Sequence, residues 1–238
     1  MEKNPTSAKA TAGSKTAKYL KYAIGEIVLV MIGILLALQV NNWNNNRAER
    51  KLESDILNEI LLNLDTDIKN IEIKQKENDS YIEYNSRVIE HLKNKTPLTD
   101  SLRYDYANLY GHGNFQPIKV GYENLKSRGL NLVKNQTLRK KISELYEYKY
   151  YYMVDNVRQA IINVQRQHAD EVMEKFNVEE PYVSAEPINL FNLQNDIKFQ
   201  TVTKSIIFAR QWTNYRFEEG KQEIIEVKEA LENELGKN

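Results

Sequence analysis

The chain contains no cysteine, which excludes disulfides, thiolate zinc sites, iron–sulfur ligation and thiol nucleophiles together. Glycine (9) and proline (5) are scarce in 238 residues, and the Glu, Lys, Leu, Ile and Asn that replace them favour long helices over a strand-rich fold. Net charge is also missing. The 33 Lys and Arg balance the 33 Asp and Glu, so no field of either sign gathers nucleic acid or an acidic substrate, and no nucleic-acid partner is expected. Catalytic patterns are absent too: there is no G-x-S-x-G elbow, no G-x-x-x-x-G-K-[ST] and no G-x-G-x-x-G. The expectation is a protein that is not an enzyme and holds no cofactor.

What the chain does have is one long apolar run. From Ala23 to Val40 it is interrupted only by Glu26 and Gln39, and about 20 helical residues at about 1.5 Å each cross a bilayer core of about 30 Å. The basic approach, with Lys9, Lys15, Lys18 and Lys21, also resembles the start of a cleaved signal peptide. Such a peptide has an apolar core of only about 7 to 15 residues, however, and the exit "LALQVNNW" offers no small-x-small cleavage site. The reading is therefore a basic tail over 1–21 and an uncleaved transmembrane signal anchor over 22–43. With Lys3 added and only Glu2 opposed, the tail outweighs Arg47, Arg50 and Lys51 on the exit side, which are interleaved with Glu49, Glu53 and Asp55. This places the tail in the cytoplasm and 44–238 outside it. Tyr19, Tyr22 and Trp43 fall where amphipathic rings favour the membrane interface.

A carboxylate inside such a run is costly unless it is protonated, paired or shielded. On a 3.6-residue helix, Tyr22, Glu26, Val30, Gly33, Ala37 and Val40 share one stripe, while Leu29, Ile32 and Leu36 face the other way. Gly33 and Ala37 form a small-xxx-small pair that admits a close helix backbone. The membrane-helix contact is thus assigned to Glu26, Val30, Gly33 and Ala37, its partner being another transmembrane helix from a second copy or a different protein. Two other uses of Glu26 stay open: snorkelling to the nearby interface, and a proton- or ion-coupled role.

The stretch "YAIGEIVLVMIGILLALQVNNWN" resembles the anchor of a family of uncharacterised bacterial single-pass membrane proteins, with a Gly-Glu-Ile motif ending in Asn-x-Trp. "YENLKSRGLNLVKNQTLRKKISELYE" (Tyr122 to Glu147) and "ALENEL" are similar to the same family, whose "LKSSG" reads "LKSRG" here with Arg128. The resemblance implies topology and helical content, with the anchor in a bacterial inner membrane and the C-terminal domain in the periplasm; it implies no activity.

Beyond the anchor, helical spacing of Leu52, Ile56, Ile60, Leu64, Ile68, Ile71, Ile82, Val88 or Ile89 and Leu92 predicts a long helix over about 47–93. A region over 99–134 then holds two short capping helices, the second closed by Gly129. Asn135 offers an N-cap for a helix over about 136–176, with Leu138, Ile142, Leu145, Met153, Val157, Ile161, Val164, His168 and Val172 inward. A last long helix spans about 197–235, and Pro181 and Pro187 mark the turn before it. The fold class is mainly α: one N-terminal transmembrane helix followed by an elongated up-down-up helical bundle, 44–238, whose short helices cap its far end. Coiled-coil pairing between copies is a competing use of the same stripes.

The histidines are weak metal candidates. His168 sits on the apolar side, His91 lacks a ligand at metal spacing, and His112 has only Asp105 and Glu123 nearby, so no metal is expected. The cluster "YEYKYYYM", Tyr146 to Met153, is read as packing on the capping region in preference to a partner surface. Function follows as an interaction or scaffold module, a membrane protein using its anchor and periplasmic bundle to bind partners. The alternative is a periplasmic ligand-sensing ectodomain acting through a separate membrane effector, because a tail of about 20 residues is too short for an output domain.

Overall fold

The computed structural model describes residues 12–111 and 115–236. Glu2, Lys3, Lys9 and His112 lie outside the described residues, as does the side chain of His168. The chain is mainly helical and divides into two compact units, Met1–Glu53 and Ser54–Asn238.

In the first unit the backbone is helical from Ala12, within the element α1 (Ala12–Asn94). Every side chain from Tyr19 to Arg50 is exposed. This is a helix near the N-terminus long and apolar enough to cross a membrane.

The second unit is organised by two heptad stripes. On α1, Leu57, Leu64, Ile71, Asn78, Asn85 and Leu92 follow at seven-residue steps, and all are buried. On α7 (Ile197–Leu235) the same step runs through Thr203, Arg210, Phe217, Ile224 and Leu231, again all buried. Burying an aliphatic or aromatic side chain contributes about 1.5 to 3 kcal/mol. A buried polar group roughly breaks even when fully bonded. The apolar members therefore hold the helices together and the polar members fix how they meet. These stripes are consumed within the chain.

Between α1 and α7 lie α2 (Asp100–Ala107), α3 (Val120–Arg128), α4 (Gln136–Glu144), α5 (Tyr150–Met173), the strands β1 (Phe176–Glu180) and β2 (Ser184–Pro187), and α6 (Leu190–Gln194). Local chemistry sets several boundaries. Thr99 caps α2 by accepting from Leu102 N–H, Asn135 caps α4 by accepting from Thr137 and Leu138 N–H, and Asp196 caps α7 by accepting from Phe199 N–H. Gly129, at φ 98°, ends α3 in a conformation that side chains resist.

The helix directions depart from an up-down-up order. Along α1 and α7 the pairs Asp65–Lys228, Asn78–Arg210 and Lys95–Asn195 run in opposite senses, so these two helices are antiparallel. Tyr150 bonds Asp67, whereas Phe176, just beyond α5, packs in the cluster that holds Val88 and Leu92. Thus α4 and α5 run parallel to α1. The reason is the 99–134 region, which does not sit at one end. Asp105 of α2 meets α1 at Arg87, while α3 meets it at Glu59 and Asn63, about 26 residues or about 40 Å back along the helix. That segment carries the chain back before α4 begins.

Two further elements differ from expectation. Residues 176–187, expected as helix end and turn, form an antiparallel hairpin pairing Phe176 with Pro187 and Val178 with Ala185, with an irregularity between Val178 and Glu180. Phe176, Ala185 and Pro187 point into the core, and proline at the strand end leaves no ladder donor missing inside a sheet. The helix over 136–173 is also not uniform. A π turn at Leu145–Lys149 links α4 to α5, with Tyr150 N–H donating to Leu145 O five residues back. The extra residue lets Leu145, Tyr146 and Tyr150 all face inward.

Candidate functional site

Two regions carry chemistry. The first is the exposed face of the N-terminal helix. Glu26, Val30, Gly33 and Ala37 all lie in the exposed stretch, and a Cβ built on Gly33 meets nothing within 4 Å. Tyr19, Tyr22 and Trp43 are exposed at 74%, 78% and 59%, and the Arg47 guanidinium carbon lies 5.9 Å from the Trp43 ring centroid. The face is open along its length, with room for a backbone to approach Gly33 and a carboxylate one turn from its entry.

The second region is the interior of Ser54–Asn238, where buried polar groups fall at helix crossings. Arg210 is 1% exposed. Its Nη2 donates to Leu109 O at 3.1 Å and Gly111 O at 2.7 Å, and its Nη1 donates to Asn78 Oδ1 at 3.3 Å. The guanidinium carbon lies 4.8 Å from the Tyr81 ring centroid, a contact worth about 2 kcal/mol when desolvated. Asn78 Nδ2 donates back to Arg210 O at 2.8 Å. Burial pushes Arg210 down to about 10, still charged at neutral pH. Backbone carbonyls and a ring face take the place of a carboxylate, and they clamp the chain just after α2. Gly111 is required there, because a Cβ would lie 2.1 Å from the Tyr81 ring.

Asp67, also fully buried, accepts from Tyr150 Oη at 2.6 Å and from Ile118 N–H at 3.0 Å. Burial raises its carboxyl from 3.8 to about 6, against the lowering effect of both bonds. Beside it, Tyr146 stacks on Tyr122 with centroids 4.6 Å apart and planes at 4°. The tyrosine cluster is therefore divided. Tyr146 and Tyr150 are core residues, while Tyr148, Tyr151 and Tyr152 are exposed.

Against the same loop lies a cavity of ≈ 140 Å³ lined by Phe115, Gln116, Val154, Val157, Arg158 and Phe217. A neighbouring cavity of ≈ 240 Å³ shares Val154 and Arg158 and adds Lys119, Tyr150 and Asp155.

His91 is buried, its Nδ1 lies 2.8 Å from Thr96 Oγ1, and burial lowers its pKa. Asp105 is engaged by Arg87, whose Nε and Nη2 donate at 2.9 and 2.6 Å. Among the described residues no group of three or more His, Asp or Glu side chains could hold a metal ion. Asp67, Asn78 and Arg210 escape a search for apolar periodicity because they are polar. Their signal was the seven-residue step itself, or for Asp67 its seat three residues after Leu64. No family model, curated protein or solved structure matches the chain.

Proposed function

We propose that this chain is a single-pass membrane protein acting by contact. Its N-terminal helix sits in a bacterial inner membrane with the 1–21 tail in the cytoplasm. Its helical unit lies in the periplasm as an interaction or scaffold module, and the face of Glu26, Val30, Gly33 and Ala37 packs on another transmembrane helix, from a second copy or a different protein.

The observation that carries this reading is the full exposure of the apolar run Ala23–Val40, whose one charged residue, Glu26, shares a face with open space at Gly33. In lipid the apolar side chains lose nothing by exposure, but a carboxylate without a partner does. A neighbouring helix can approach at Gly33 and Ala37 and offer Glu26 a hydrogen bond. Tyr19, Tyr22 and Trp43 bracket the span as interface residues, and the resemblance of the anchor to the Gly-Glu-Ile family supports the same placement. A ligand-sensing role for the helical unit is favoured by one observation, the cavity beside Phe115.

The test of placement is a pair of C-terminal fusions. An alkaline phosphatase fusion should be active and a green fluorescent protein fusion dark. The opposite pair of results overturns the orientation.

A further inference from the structure

We propose that the helical unit binds a small organic carboxylate, with a ring-sized apolar body in the cavity between Phe115, Val154, Val157 and Phe217 and its charge on Arg158. Size sets the first limit. The cavity holds ≈ 140 Å³, and an apolar cavity of about 150 Å³ takes a benzene ring. A single six-membered ring matches such a space.

The walls set the second limit. Phe115, Val157 and Phe217 are buried, and the two phenylalanine rings meet edge to face with centroids 6.2 Å apart. Phe115 also lies 6.3 Å, centroid to centroid, from Tyr150. These surfaces offer dispersion and ring-edge contacts to an aromatic or compact aliphatic body.

The third limit is charge. The Arg158 side chain is 57% exposed, and its Nη2 lies 3.5 Å from Asp155 Oδ1, at the outer edge of a hydrogen bond. A guanidinium has five donors in a fixed fork, so one long bond leaves it able to take a carboxylate bidentately. Arg210, by contrast, is buried and already committed to carbonyls. Lys119 lines the neighbouring cavity with Arg158 and Asp155. Arg158 is the charged residue that lines the ring-sized cavity itself and favours an anion over a cation there, and Asp155 beside it weakens the attraction without reversing it.

The test uses the full chain in lipid nanodiscs and fluorine NMR of three probes of one ring size: 4-fluorobenzoate, 4-fluorobenzylamine and fluorobenzene. Empty nanodiscs correct for partitioning. The expected result is saturable broadening of 4-fluorobenzoate that unlabelled benzoate reverses, with the amine at least tenfold weaker. Arg158→Gln should weaken benzoate by about tenfold or more. Asp155→Asn should tighten it by about twofold to fivefold. Val154→Phe, which fills the cavity, should abolish binding, and circular dichroism serves to check that each variant keeps its helix content. Benzoate binding no better than the amine, or unchanged in Arg158→Gln, overturns the proposal, as does no benzoate binding beyond the empty nanodiscs.

Discussion

Asn78 of α1 and Arg210 of α7 bond each other twice, Asn78 Nδ2 to Arg210 O at 2.8 Å and Arg210 Nη1 to Asn78 Oδ1 at 3.3 Å. Each occupies a position of its helix's seven-residue stripe that Leu, Ile or Phe fills elsewhere. Any slip of α7 along α1 would bury both groups without partners, so the pair sets the register of two otherwise sliding apolar surfaces. Arg210 further closes Leu109 O and Gly111 O, joining the register to the return segment after α2.

Replacing Arg210 by Met keeps bulk but strands Gly111 O and Asn78 Oδ1 and leaves Leu109 O with Asn85 Nδ2 alone. The expected loss is about 2 to 4 kcal/mol of unfolding free energy. Arg210→Lys should recover little, since one ammonium cannot span the same oxygens. Urea unfolding of the full chain in nanodiscs, followed by near-ultraviolet circular dichroism, gives the value. A loss below about 0.5 kcal/mol for Arg210→Met would remove the clamp from the description.

The Asp67 carboxyl supplies a pH dependence of definite sign. Its pKa is raised by burial to about 6 from 3.8, so the folded state holds its proton more tightly than the unfolded chain does. Its stabilising contribution is present below about pH 4 and is lost as pH rises through about 6, a change of up to about 3 kcal/mol. Asp67→Asn mimics the protonated form and should flatten this part of the stability curve. Equal slopes for wild type and Asp67→Asn between pH 4 and 6.5 would contradict the assignment.

The tyrosine cluster should divide by burial. Tyr146→Ala removes a 2% exposed ring stacked on Tyr122 and should cost about 3 to 5 kcal/mol. Tyr148→Ala removes a 59% exposed ring and should stay within about 0.5 kcal/mol. Thermal unfolding of the two variants side by side decides the matter, and similar losses would mean that the π turn does not aim these rings as described.

The apolar N-terminal helix and the mainly helical content were legible because both rest on local signals, an unbroken apolar run and apolar residues at helical spacing. The cap at Asn135 and the stop at Gly129 were legible for the same reason: a side-chain acceptor and a missing Cβ act within a few residues. The hairpin was not, since "FNVEE" and "SAEP" are short and poor in β-branched residues, and their pairing is stabilised by the burial of Phe176, Ala185 and Pro187. The parallel run of α1 and α5 was hidden because it depends on contacts such as Asp67–Tyr150, 83 residues apart. The heptads were obscured by Asn78, Asn85, Thr203 and Arg210, which break an apolar count while remaining buried. On the N-terminal helix, Glu26 stood out as the one charge in an apolar run, whereas the Arg158 cavity exists only once α5, α7 and the Phe115 loop have met.

The helix contact at Glu26 is tested most directly by photocrosslinking. A benzophenone maleimide attached to Val40→Cys reports on the same stripe without background from a chain that has no other cysteine. Interhelical polar contacts in membranes are worth about 0.6 to 2 kcal/mol, so Glu26→Ala should lower adduct yield by about threefold to thirtyfold. Gly33→Leu should lower it too by blocking close approach, and Glu26→Gln, which keeps the hydrogen bond, should retain most of it. Adduct masses identify the partner as a second copy or another protein. Equal yields of the same adducts from the parent chain, Glu26→Ala and Gly33→Leu would contradict the contact and leave Glu26 as a residue that snorkels to the interface.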